Sequence, residues 1–521
     1  TVNNSTSLTI APGNYLIANG QVNNNGTITL QADNTGYAQL MTDNTAGTGN
    51  YIIELYLSDN TRWRHLSSPL GDVDFNDIDD LVLNGTSAPS NQQNVFYWDA
   101  SENPSSSGNA LGWTGTDFST DRFDEQKAYS IYVEAFSGSN FAPVNNPAQF
   151  SGSELTVTDQ NYNIYNFNDP NPTQTSGTIE QGWNLIPNPY SANLSVDALL
   201  NDYNGDGAQS DNGGSEFALA YKAVHVWDAK TGQYKAYLAD GESIEPYNTG
   251  SSIDLASIPP FQAFWVKMSV SDAVSSLTLQ REHRKPEEAS NNFFKRPNRS
   301  RIRLNVFNIV DSAWDQALAV ERQGSSVDFD GWDAFKLFGL PQLPSLYFPS
   351  TEGPLAINSF SQSTVTVLPL NFRGNFGTYS LHPDLGHFNG QGQVFIHDKY
   401  LHQVKAFSSQ PYTFVHNSQM PEDRFEIIIN NNTTIDIEKS ITVEKPEMLI
   451  YGGNLHIIYE GGSSYVTNIY TLSGKQLMHH EGALQGPDTQ IPIRDLKPGV
   501  YLAELRLNGS RIIQKFTITT K

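Results

Sequence analysis

The chain has 521 residues, 31 of them basic and 55 acidic, and no cysteine. That length exceeds the roughly 250 residues at which a single core stops growing, so several domains are expected. The lack of cysteine excludes disulfides, zinc–thiolate sites and a cysteine nucleophile. The acidic balance excludes the basic footprint that nucleic-acid phosphates require, and it favours solubility and cation binding.

No apolar run approaches the 18 residues of a membrane-spanning helix. The chain opens on Thr1 with neither Met nor a signal peptide, and we read it as a processed or trimmed part of a longer product. Charge is unevenly spread. Residues 446–521 carry seven basic and six acidic side chains, which leaves the first 445 with a net −25. That shift places a boundary near 440–446.

From the N-terminus, residues 1–50 hold short β runs separated by Asn/Gly turns: Ser7–Ile10, Tyr15–Ala18, Thr27–Gln31 and Ala38–Met41. Gly and Asn supply the positive φ angles of tight turns. The spacing suits rungs of a β-solenoid or a small sheet, so a solenoid-like N-terminal edge is expected.

The next two segments repeat one pattern. In the first, Trp63 and Pro69 frame "WRHLSSP", followed by "VFYWD" (Val95 to Asp99) and "KAYSIYV" (Lys127 to Val133). In the second, Trp183 and Pro189 frame "WNLIPNP", followed by "VHVWD" (Val224 to Asp228) and "QAFWVKM" (Gln262 to Met268). The Trp-to-Pro offset is six in both, and the landmarks keep their order. An internal duplication predicts two β-sandwiches, at 51–150 and 180–280, each with a short connecting helix (Phe75–Leu83, Val196–Leu200).

Paired tryptophans can serve as a sugar-stacking platform, but a tryptophan inside a V-x-V-W-D strand ordinarily packs on its neighbours. Trp113, beside Gly112 and Gly115 in a polar loop, is the better exposed candidate for ligand binding. A different chemistry is written in "DYNGDG", where Asp202, Asn204 and Asp206 place oxygens at alternate positions and Gly207 allows a sharp turn, as in calcium loops. The bidentate Glu of an EF-hand is missing, with Gly213 in its place, so structural Ca2+ in another geometry competes with a plain acidic turn. "GDVDFNDIDD" (Gly71 to Asp80) occupies the corresponding place in the first copy with a weaker pattern.

Residues 281–300, rich in charge, proline and asparagine, read as a linker. A third β-sandwich or jelly-roll module is expected at 301–432, opening on the cleanly alternating "RIRLNVFN" of Arg301 to Asn308. Asp328, Asp330 and Asp333 within it suit a capped turn better than a cation. Residues 431–445 form a polar linker. No G-x-S-x-G, H-E-x-x-H or phosphate-binding glycine loop occurs, and the histidines (His382 and His387 around Asp384, His479-His480) lack metal-ligand context. The expectation is therefore a non-enzyme, an all-β array of tandem sandwich modules.

The last stretch, 446–521, is a run of hairpins. "Asn508-Gly509" joins two alternating segments, the strongest short-range hairpin signal, and Pro498-Gly499 launches the penultimate strand. This predicts a small Ig-like β-sandwich. Three motifs here, Tyr470 to Gly474, Leu496 through Pro498, Gly499 and Tyr501, and Gly509 to Lys515, resemble the C-terminal sorting domain of Bacteroidetes type IX secretion cargo. The resemblance implies export to a cell-surface, outer-membrane-associated location. It also implies recognition by the type IX translocon with its outer-membrane shuttle barrel, and removal by a sortase.

"GWNLIPNPY", "FQAFWVK" and "DFDGWDAFKL" are similar to stretches in the bodies of large Bacteroidetes surface proteins, which implies no defined activity. The expected function is thus a secreted adhesin or stalk with a polysaccharide or cell-surface ligand. The alternative is the non-catalytic or carbohydrate-binding rear of a secreted polysaccharide hydrolase whose catalytic domain lies upstream.

Overall fold

A computed structural model of the chain describes residues 1–57, 62–78, 81–90, 92–101, 112–133, 147–165, 182–201, 223–238, 242–244, 257–267, 274–285, 299–362, 365–388, 392–401, 403–407, 410–417, 420–430, 447–451, 454–458, 464–484, 488–493, 495–507 and 509–518. Among these residues strand makes up 57% and helix 3%, in many separate sheets with no closed barrel, so the fold is all-β and its cores lie between sheets. Two compact units emerge. The first is Thr1–Gln362 with Asn371–Gly390 and Ser409–Ser418; the second is Ser363–Leu370 with Gln391–Ser408 and Gln419–Lys521. The stretch 301–432 contributes strands to both.

In the first unit the N-terminal segment is solenoid-like. Ser7–Ile10, Thr27–Leu30 and Asn50–Leu55 stack in parallel, with Leu8, Ile28 and Tyr51 in one register row. Tyr15–Asn23 and Gln39–Ala46 form a second parallel pair. Asn50–Leu55 also pairs with Ala148–Gly152. Residues 1–50 therefore share one continuous core with the first repeat copy, in which Ile10, Ile28 and Leu40 join Leu66, Phe123 and Phe150.

The duplication is written into the topology. One sheet runs in the order Trp113–Gly115, Val95–Trp98, Tyr129–Val133, Arg62–Leu66; another runs Gln233–Leu238, Ala223–Asp228, Phe264–Lys267, Trp183–Ile186. The order is the same, strand for strand. Each copy adds a second layer built from the strand before it and the strand after it: Asn50–Leu55 with Ala148–Gly152, and Gln160–Tyr165 with Val274–Leu279. The second copy thus begins before residue 180, because Tyr162 and Ile164 are buried in its core.

The two connecting helices differ. Val196–Asn201 is an α-helix, whereas the expected Phe75–Leu83 helix is a single 3-10 turn at Phe75–Asp77. Its start is capped by the Asp74 carboxylate, which accepts from the Asn76 N–H. The expected linker also begins inside the body. Arg284 pairs with Leu194, its guanidinium donates to the Thr42 and Arg281 carbonyls, and it stacks on Tyr190. Residues 286–298 lie outside the described set.

Still in the first unit, a six-stranded sheet runs Ala334–Phe335, Leu355–Phe360, Trp314–Glu321, Arg301–Asn308, Gly377–Asp384, Tyr412–His416. It shares a core with the second copy through Ala223, Ala236 and Leu238 against Leu318, Val320 and Ile357. A buried ion pair joins Arg301 to Glu242 at 2.9 Å.

In the second unit residues 365–370, Phe425–Asn430, Gln393–Asp398 and Gln403–Ala406 pair antiparallel in that order. Arg424, fully buried, grips Asp398 at 2.6–3.0 Å. The C-terminal segment packs the sheet Glu447–Tyr451, Asn454–Ile458, Asp488–Pro492 against a second one, Gln476–Ala483, Ser464–Thr471, Gly499–Leu507, Ser510–Ile518. Leu455, Ile457, Ile469, Ala503 and Leu505 fill the space between them. This is the small terminal sandwich expected from its turns. Gly474 and Gly509 sit at φ +84° and +77°, a conformation glycine adopts without steric cost.

Candidate functional site: an aromatic cleft where the two copies meet

The copies are tied together reciprocally by their tryptophans. The indole N–H of Trp98, from the first copy, donates to the Trp183 carbonyl of the second at 2.9 Å. The indole N–H of Trp227, from the second, donates to the Trp63 carbonyl of the first at 2.7 Å. Because Trp98 corresponds to Trp227 and Trp63 to Trp183, the two bonds are one contact made twice. An amphipathic aromatic ring suits this place, since it buries area while its N–H satisfies a carbonyl of the neighbouring copy.

Around these bonds lie two cavities. The smaller, about 130 Å³, is lined by Trp98, Trp113, Trp183, Trp265, Lys267 and the segment from Phe335 to Phe338. The larger, about 400 Å³, is lined by Trp63, His65, Phe96, Ser130, Trp227 and the segment from Phe338 to Pro341. Trp113, Tyr234 and Phe338 line both. Trp113 pairs with Trp98 and Tyr234 with Trp227 at the same register position, so these wall residues also correspond between copies.

Trp113 therefore stands in a strand, half-buried, rather than in the exposed polar loop its glycine neighbours suggested. Gly112 is required beside it, at φ +83°, because a Cβ there would press on the Trp98 ring at 2.9 Å. The covering segment approaches as closely: Leu340 N–H donates to the Gly232 carbonyl at 3.0 Å, and a side chain at Gly339 would overlap that carbonyl.

Burial sets the charge states. His65 is pushed down to about 3 by burial, so it is neutral at physiological pH and its Nδ1 accepts from the Trp265 N–H at 3.2 Å. Burial likewise lowers His225 to about 4, and its Nε2 donates to the Phe335 carbonyl at 2.7 Å. Burial brings Lys267 down to about 8, and its ammonium lies 3.9 Å from the Phe335 ring centre and 5.6 Å from that of Trp183. Clustered rings, with Trp98, Trp113 and Trp265 meeting edge to face, and few polar groups suit a ligand that has a flat apolar face and a polar rim.

The remaining sequence candidates separate clearly. Asp202, Asn204 and Asp206 lie outside the described residues. In the first copy Asp72 accepts from Ser153 and Glu154, and Asp74 meets Arg122 at 3.2 Å. Asp330 accepts from the Trp332 N–H and Asp333 from the Asp330 N–H, as capped turns do, while Asp328 and Asp333 also accept from the distant Thr351 and Ser359 N–H groups. No cluster of three metal-ligating side chains occurs among the described residues. No helix among them is long and apolar enough to cross a membrane.

In the C-terminal segment Tyr501 donates to the Lys497 carbonyl at 2.6 Å, which closes the turn around Pro498 and Gly499. Tyr470 donates to Glu504, and Lys515 pairs with Leu502. Glu504 was not legible in the sequence. Its carboxylate, 4% exposed, receives Arg511 at 2.6 Å and Arg506 at 2.9 Å and is held down to about 2 by them.

Residues 452–519 match the family described as Secretion system C-terminal sorting domain. The protein is thus type IX secretion cargo of the Bacteroidetes kind, exported as a secreted or cell-surface protein through interaction with that machinery. By the match over residues 1–429, the chain belongs to the family described as Domain of unknown function (DUF8693). No curated protein matches. Among solved structures, the β-glucuronidase from Ruminococcus gnavus in complex with D-glucuronic acid is 9% identical with a TM-score of 0.11, and its apo form 10% with 0.10. Each alignment covers 28% of this chain and 37% of the enzyme, little more than a third of its length. Likeness of that extent bears on neither fold nor activity here.

Proposed function

We propose that the exported body is a non-enzymatic, adhesive module that holds a glycan in the aromatic cleft between its two copies. The observation that carries this reading is the aromatic lining of Trp113, Tyr234 and Phe338 that the cavity of about 400 Å³ shares with its smaller neighbour. A pocket of that size, within the roughly 300–1,000 Å³ of small-molecule sites, takes one or two sugar rings stacked on aromatic faces. The sorting domain delivers the body to the outer membrane, and a sortase acting in the 431–445 stretch releases it from the tail. A second reading, the carbohydrate-binding rear of a secreted polysaccharide hydrolase, draws on the same cleft. Polysaccharide cleavage by the protein isolated from its native cell surface would favour that one.

The test is affinity electrophoresis in gels containing polysaccharides. Trp113→Ala and the milder Trp113→Phe should lose retention in that order while melting as cooperatively as wild type. Unchanged retention in both removes the cleft as the ligand site.

A further inference from the structure

The two cavities descend from one duplicated framework, yet they are not chemically equal. Tyr132 faces Trp63 in the cross-strand register of the first copy, and Lys267 faces Trp183 in the second. Phe96 of the first copy corresponds to His225 of the second, and Ser130 to Trp265. The larger cavity is consequently neutral, lined by rings, the uncharged His65 and a hydroxyl. The smaller one holds the ammonium of Lys267, which is only 5% exposed. Glu352, which is exposed, bears on this ammonium, and Lys336 lines the same cavity. Lys336 is engaged with Asp315 at 2.6 Å.

From this asymmetry we infer that the smaller cavity is an anion subsite, so the ligand is a largely neutral glycan carrying one acidic substituent next to the ring seated in the larger cavity. The inference rests on the glycan reading above. Size supports it: a cavity of about 130 Å³ is smaller than the ~150 Å³ that takes a benzene ring, so it accepts a substituent of a few heavy atoms, not a second sugar. Desolvation supports it too, because a hydrogen bond to a buried ammonium is stronger than one made in water. The net charge of −25 on the first 445 residues repels a polyanion, so the acidic groups must be sparse.

The test compares a galacturonate-terminated disaccharide with its methyl ester, by titration calorimetry on the full chain at pH 7. Wild type should bind the acid about tenfold tighter or more, the usual size of a charge-assisted bond. Lys267→Met and Lys267→Gln should bind both forms with the affinity of the ester. Equal binding of acid and ester by wild type overturns the anion subsite while leaving the cleft as a glycan site. So does a preference that persists in both variants. Failure to bind either form, together with no retention on any polysaccharide, overturns the cleft reading and the subsite with it.

Discussion

Placed side by side, the two copies share a strand order and differ in what lines their cavities. Trp63 and Trp183, Trp98 and Trp227 recur as the residues that fasten one copy to the other. Tyr132 and Lys267, Phe96 and His225, Ser130 and Trp265 have diverged at matching register positions. The lesson is a division of labour within one framework. Positions whose indole N–H satisfies a carbonyl of the other copy are held, because losing the bond strands a buried polar group. Four of the diverged residues line a cavity, Phe96 and Ser130 the larger and Trp265 and Lys267 the smaller, and their change decides what each cavity can hold.

The largest expected effect breaks the shared part. Trp227→Ala should destabilise the body by about 3–5 kcal/mol, the range for truncating a packed tryptophan, and Trp98→Ala, at a half-buried ring, by somewhat less. Denaturant melts followed by fluorescence would measure it. A large loss for one and almost none for the other would mean that the two contacts are not equivalent, and the pseudo-symmetric account would fail.

An intermediate effect comes from the C-terminal sandwich, where motif and support also divide. Tyr470 belongs to the sorting motif, while Glu504 beneath it gathers Arg511, Arg506 and the Tyr470 hydroxyl. The folded-state pKa of Glu504 is depressed to about 2. Its contribution is therefore fully present above the ordinary value near 4.5 and is lost as pH falls through about 2. Glu504→Gln should lower the melting temperature at pH 7 and flatten its fall between pH 5 and pH 2. Parallel acid melts for variant and wild type would show that the network adds nothing.

The smallest effect sharpens the comparison between the acidic turns. In the first copy Asp72 and Asp74 are already occupied by backbone and arginine partners. The DYNGDG stretch of the second copy, Asp202, Asn204 and Asp206, is proposed to hold structural Ca2+. A chelator should lower the melting temperature by a few degrees at most, and Asp206→Ala should erase the difference. If melting is the same with and without chelator, that site contributes no stability.

Much of this protein was legible in order along the chain. Alternation with period two placed Arg301–Asn308 and Ser7–Ile10 at their observed bounds, and Asn508-Gly509 marked the last hairpin. The Trp63 and Trp183 landmarks mark the duplication in the sequence itself. These features are local: strand periodicity and turn chemistry act over a few residues, so sequence alone determines them. The cleft is different. Trp98 meets its carbonyl partner 85 residues away and Trp227 meets its own 164 residues away. The lining that the cavities share needs Phe338 from a third region as well. Lys267 beside Phe335, and Glu504 under two arginines, likewise arise where separate strands come together. No periodicity encodes such meetings. Sheet-on-sheet packing decides them, because it selects which of the many buried rings face a cavity and which fill the core.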